Sequence, residues 1–136
     1  MAGDAVEVLR RAFQAYDEGG PEAVFPLLAP EIEWTVRADL PDAGTYRGHA
    51  EVSALFGRFS EVMDDMWMRP EELIAIGSDV VVAPLRWGGR GKASGAAFEE
   101  SRETWVATVR DGKIVRIREF ATQDEAMAEA RVDLRP

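Results

Sequence analysis

The sequence predicts an α+β domain, and three observations carry that prediction. Apolar residues in the first part of the chain recur at helical spacing. From about Met66 onward they alternate, or run in blocks of strand length. The helices gather at one end of the chain instead of alternating with strands.

The first helix is read from Val6, Leu9, Phe13 and Tyr16, which lie three or four residues apart. Asp4 is placed to cap it, Glu7 completes a capping-box pair, and Gly19-Gly20 ends it. Pro21 suits the first position of a second helix with an apolar face of Val24, Leu27 and Leu28. Pro26 should shorten or kink that helix. Beyond the break at Ala29-Pro30, Ile32, Trp34 and Val36 alternate with polar neighbours, as in a strand with one dry face.

Ala38 to Gly48 reads as a loop. A third helix starts near His49, with Val52, Leu55, Phe56, Phe59 and Met63 on its buried side. One strand lies within Met66 to Ile76 and another spans Val80 to Trp87. Gly88 to Gly95 carries four glycines and reads as a flexible hairpin connection near the mouth of a pocket. A long strand covers Ala97 to Val109. Asp111-Gly112 is a two-residue hairpin signal, and Ile114 to Ala121 is the returning strand. Thr122 with Glu125 caps a final helix whose Ala126, Met127 and Ala130 pack back. No repeat or linker interrupts the order, so residues 1–136 are expected to form one domain.

Composition narrows the function. Apolar residues make up 46% of the 136, enough for a core at this length, while 30% are charged. With no cysteine there are no disulfides, thiolate metal sites or cysteine nucleophiles. The net charge of −9 disfavours phosphate backbones, so no nucleic-acid partner is expected. No apolar run is long enough to span a membrane. Met1-Ala2-Gly3-Asp4 lacks a basic-then-apolar leader, so the expected location is the cytoplasm. A single histidine and no calcium-loop spacing leave no metal site to expect.

Four stretches in this order resemble the nuclear transport factor 2-like superfamily, and within it the SnoaL-like polyketide cyclase group. They are Ala15-Tyr16-Asp17-Glu18-Gly19-Gly20, Leu28-Ala29-Pro30-Glu31-Ile32-Glu33-Trp34, Tyr46-Arg47-Gly48-His49, and Trp105 through Val115. The resemblance implies a cone-shaped, cystatin-like fold. In it a strongly curved, mainly antiparallel sheet wraps around three helices and a pocket opens at the wide end. It also implies a homodimer through the outer sheet face, here carrying Thr104, Val106, Thr108, Arg116 and Arg118. The superfamily spans isomerases, cyclases, epoxide hydrolases and non-catalytic carriers, so function has to be argued from residues.

Those residues lie on the last two long strands. If Trp105 and Ala107 face inward, so do Ser101 and Glu103, joined by Ile117, Glu119 and Ala121. A one-residue shift would substitute Arg102, Arg116 and Arg118. Two carboxyls in an apolar pocket resist ionisation, and such groups can act as acid or base near neutral pH. Equally, Glu103 and Glu119 can be paired structurally, with Arg86 as the candidate partner. His49 is a possible proton shuttle or simply the residue that starts the third helix.

Tyr16, Trp34, Phe56, Phe59, Trp87, Trp105 and Ile117 are the candidate walls for a flat apolar ligand, with plain packing as the alternative. Gly91-Lys92-Ala93 fails as a phosphate loop, because Arg86 stands where the first glycine belongs and Ala93 where a hydroxyl belongs. No serine sits in a nucleophile elbow. The steroid-isomerase pattern of tyrosine and aspartate falls on Ala12 and Val36. The aspartate–arginine–aspartate set of epoxide hydrolases finds no strand aspartates, since Asp39, Asp42, Asp79, Asp111 and Asp124 read as loop or helix-start residues.

Three functions remain open. The first is a pocket protein for a small apolar molecule. The second is a cofactor-independent cyclase or isomerase with Glu103 or Glu119 as base. The third is a dimeric interaction module with a vestigial pocket.

Overall fold

The computed structural model describes residues 2–95 and 100–132. The elements run α1 (Ala2–Gly19), a 3-10 helix (Pro21–Leu27), β1 (Leu28–Val36), β2 (Gly44–Arg47), α2 (Gly48–Val62), β3 (Met63–Pro70), β4 (Ile74–Ile76), β5 (Val80–Gly91), β6 (Ser101–Arg110), β7 (Lys113–Phe120) and α3 (Gln123–Val132). The architecture is α+β, with one curved seven-stranded sheet ordered β2-β1-β7-β6-β5-β3 and β4 paired to β5. Among the described residues, only β1 and β7 run parallel.

Local physics explains the element boundaries. α1 buries Val8, Leu9, Ala12 and Phe13 as one face. Asp4 is not its cap. The helix already runs from Ala2, so Asp4 sits in the first turn, where its charge meets the positive end of the helix. The second helix is 3-10 throughout: Pro26 has no N–H to give an α-helical ladder, and seven residues tolerate the tighter winding. Leu28 leaves that helix and opens β1, which starts four residues earlier than the alternation suggests. Its register with β7 breaks between Leu28 and Glu33, around Pro30.

The expected loop between β1 and α2 contains β2. This short strand pairs Thr35 with Thr45 and Glu33 with Arg47, each through side chains as well as backbone. The region from Met66 to Ile76 holds parts of two strands, not one. The Asp111-Gly112 turn has φ of 52° and 75°, the doubly positive pattern of a type I′ hairpin. Thr122 accepts a hydrogen bond from the Glu125 backbone N–H and donates to its carboxylate, so Thr122 caps α3 as expected.

Gly88 to Gly91 is not a flexible connection. These residues extend β5 against β3. A Cβ on Gly88 would stand 2.9 Å from the Trp67 ring, and one on Gly89 3.0 Å from the Met63 methyl. These glycines therefore serve close packing of two strands. Part of the expected strand at Ala97 to Val109 lies outside the described residues. The observed β6 begins at Ser101.

The main core fills the space between the helices and the inner face of the sheet, with Ile32, Val52, Ala83 and Ala107 fully buried. A smaller core lies on the outer face, where Ala126 and Ala130 of α3 cover Val80, Val82 and Val106. Of the outer-face residues, Thr104, Val106 and Thr108 are buried within the chain, while Arg116 and Arg118 are half-buried. Among the described residues, no helix is long and apolar enough to cross a membrane.

Candidate functional site

The hairpin register decides which side chains meet. Trp105 pairs with Glu119 and Ala107 with Ile117. On the other side of β7, Trp34 pairs with Ile117. Side chains two residues apart share a face, so Glu103, Trp105, Ile117, Glu119 and Trp34 project together from the inner face.

They line a cavity of about 590 Å³. α1 contributes Phe13 and Tyr16, α2 contributes Phe56 and Phe59, and β5 contributes Trp87. All seven candidate wall residues stand on this cavity. The aromatic side chains are locked against one another. Trp34 meets Trp105 edge to face at 5.0 Å and Phe56 at 5.2 Å, while Phe13 stacks on Trp105 at 5.6 Å.

The polar end of the cavity is built from two tryptophan–glutamate pairs. The Trp34 indole N–H donates to Glu119 Oε2 at 2.7 Å. The Trp105 indole N–H donates to Glu103 Oε1 at 2.9 Å. Arg37, just past the end of β1, places its guanidinium 3.5 Å from Glu103 Oε2 and forms a two-pronged pair with Asp39. Its backbone N–H bonds Glu119.

Burial pushes both carboxyls above the ordinary range. Glu119 is pushed up to about 8, first by desolvation and then by the neighbouring charge of Glu103, against the opposing hydrogen bonds from Trp34 and Arg37. Glu103 is raised by desolvation, with Trp105 and Arg37 pulling it back down. Glu119 therefore keeps its proton at neutral pH, beside a second carboxyl whose ionised form Trp105 and Arg37 favour against burial. Burial also raises Tyr16, which keeps its phenol proton.

Two expectations fail here. Glu103 is not paired to Arg86, whose guanidinium lies on the outer face and bonds Glu100 at 2.7 Å. Its partner is Arg37, which simple alternation would have turned outward. The ladder of β1 ends at Val36, and alternation ends with it. The only sequence signal for Arg37 was its two-residue spacing from Asp39. His49 does not reach the cavity: its Nε2 bonds the Leu28 carbonyl at 3.0 Å and its ring packs edge-on against Phe25. It joins the start of α2 to the start of β1.

Ala12 and Val36 both line the cavity, so the wall positions matching the steroid-isomerase pattern carry apolar side chains. The cavity is also lined by Asp42 before β2, Asp64 and Asp65 of β3, and Lys92, which falls in the stretch expected near the pocket mouth. Among the described residues, no group of three or more histidine, cysteine, aspartate or glutamate side chains could hold a metal ion.

Comparison with known proteins bears on the family and the fold. The family model described as a SnoaL-like domain matches residues 9–117. The chain belongs to the SnoaL-like family. This SnoaL-like chain is 30% identical over 122 residues to an uncharacterised protein of Mycobacterium tuberculosis, covering 88% of this chain and 91% of the relative. Among solved structures, an NTF2-like protein of Burkholderia thailandensis is 32% identical with a TM-score of 0.74, over 97% of this chain and 98% of that one. An NTF2-like protein of Burkholderia xenovorans is 29% identical with a TM-score of 0.68, over 94% and 95%. The SnoaL-like fold thus extends over almost the whole chain.

Proposed function

We propose that this SnoaL-like chain binds a flat, largely apolar small molecule that carries one polar end. The observation behind this reading is the cavity of about 590 Å³, apolar and aromatic on most sides and closed at one end by the indole-held pair Glu103 and Glu119. Rigid aromatic walls suit a planar body, and a few convergent polar groups suit the recognition of one functional group. Glu119, protonated, offers a hydrogen bond to a carbonyl or hydroxyl oxygen. Glu103, ionised, accepts one from a hydroxyl or N–H. A planar molecule with an oxygen substituent at one end meets both demands.

The test is titration of the purified protein with 2-naphthol, followed by quenching of tryptophan emission. Saturable quenching is expected, because Trp34 and Trp105 form the wall. It should weaken when Glu103 is changed to Gln, since the hydroxyl then loses its charged acceptor. No saturable quenching up to the solubility of naphthol would sink this reading.

A second reading, a cofactor-independent isomerase or cyclase, is favoured by one specific observation: the acid stands beside the base. With a ketone bound, the Glu103 carboxylate takes a proton from the carbon next to the carbonyl. The C–H electron pair becomes the C=C bond of the enol, and Glu119 gives its proton to the carbonyl oxygen. The pair finishes with the proton on Glu103 and the charge on Glu119, ready for the reverse transfer at another carbon. Hydrogen–deuterium exchange into 2-tetralone, read by proton NMR, should be accelerated by the wild type and not by Glu103→Gln. Equal exchange with both proteins would leave the binding reading alone.

A further inference from the structure

Glu103 and Glu119 share a wall but are held by unlike groups. Glu119 takes its hydrogen bonds from neutral donors, the Trp34 indole at 2.7 Å and the backbone N–H of Arg37. Glu103 takes one from the Trp105 indole at 2.9 Å and faces the Arg37 guanidinium at 3.5 Å. A single residue therefore touches both carboxyls, with its main chain on one and its charge on the other. The guanidinium is itself fixed. Asp39 grips it from the solvent side at 3.0 and 2.5 Å, and its side chain is only 16% exposed.

Two neighbouring carboxyls in an apolar wall do not both ionise readily, since each charge raises the cost of the other. A fixed cation on one of them breaks the symmetry. We infer that Arg37 is the positioning residue of the pair: its guanidinium keeps the negative charge on Glu103 and so leaves the proton on Glu119. This inference rests on the reading of the pair as the polar end of the binding cavity.

The pattern of influences on the two carboxyls agrees. Arg37 lowers Glu103 through both its charge and its side-chain hydrogen bond, after the larger effects of burial and Trp105. It acts on Glu119 through its backbone N–H more than through its charge. The other titratable groups on the cavity wall come from each surrounding element: Tyr16 of α1, Asp42 before β2, Asp64 and Asp65 of β3, and Lys92 after β5. Asp39, beyond the guanidinium, opposes Arg37 weakly by raising Glu103. The consequence for a ligand is polarity: its acceptor end is directed to Glu119 and its donor or acidic C–H end to Glu103.

The test is carboxyl carbon-13 NMR of glutamate-labelled protein, titrated without ligand, with the two resonances assigned from Glu103→Gln and Glu119→Gln. In the wild type, Glu103 should titrate below Glu119. The opposite order overturns the inference, whatever any variant does. Arg37→Met and Arg37→Gln remove the charge and should raise the Glu103 midpoint by about one pH unit or more. Arg37→Lys keeps the charge and should move it by less than half as much.

A Glu103 midpoint unmoved in a folded charge-removing variant, or moved as far by lysine as by methionine, overturns the inference. Gln serves if the Met variant fails to fold. Naphthol binding is measured separately. A protein that shows these shifts but binds no probe keeps the assignment of Arg37 and loses the pocket reading.

Discussion

Replacing Glu119 by Gln should change how stability depends on pH, and the sign follows from the buried carboxyl. Folding raises Glu119 from the ordinary carboxylate range to about 8. Between those values the folded chain holds a proton that the unfolded chain has released. Stability therefore falls as pH rises through this window, and the loss is complete once pH exceeds the folded value. Each pH unit corresponds to about 1.4 kcal/mol, so this one group should cost about 2 to 3 kcal/mol between about pH 5 and pH 7.

Gln keeps the shape and an oxygen for the Trp34 indole but has no proton to lose. Urea unfolding of both proteins at several pH values in this window, followed by tryptophan emission, gives the two stability curves. Other groups, including the many surface carboxylates of this acidic chain, titrate in both proteins and cancel in the difference. The expected result is a wild type that loses stability relative to Glu119→Gln as pH rises. Parallel curves would refute the assignment of a buried, protonated Glu119.

Three further outcomes are expected. Glu103→Gln removes the neighbouring charge that raises Glu119, so the Glu119 midpoint should fall below about 8 in carbon-13 titrations. Ile32→Ala, at a fully buried position of β1, should cost about 2 to 5 kcal/mol in urea unfolding. Gly112→Ala should cost about 1 to 2 kcal/mol, because a side chain must then adopt the positive φ of 75°; an unchanged urea midpoint would contradict the type I′ turn.

The candidate site was legible where periodicity governs and illegible where it stops. Alternation grouped Glu103 with Trp105 on β6 and Ile117 with Glu119 on β7, but it is a β-bulge between Thr108 and Val109, one residue of register beyond what the Asp111-Gly112 turn sets, that brings the two groups to one face. The walls drawn from α1 and α2 followed from helical spacing. Arg37 escaped notice because it sits one residue beyond the β1 ladder, where no rule says which way a side chain turns. His49 looked chemically useful as the sole histidine, but residue type carries no distance. The glycines after Trp87 looked mobile, yet their role is to let β5 approach Trp67 and Met63, a contact between residues more than twenty positions apart.

The sequence by itself determined the α+β class, the order of most elements and the capping of α3, and left the inward set of the last hairpin to its register. The first three depend on short-range rules of spacing, turn chemistry and side-chain alternation. Only the tertiary structure decided that Arg37 grips Glu103, that α3 closes over the outer face, and that two indoles hold two glutamates at one end of a cavity. Those features join elements distant in the chain. Burial and charge at such a junction depend on how the whole sheet curves around its helices, which no local pattern encodes.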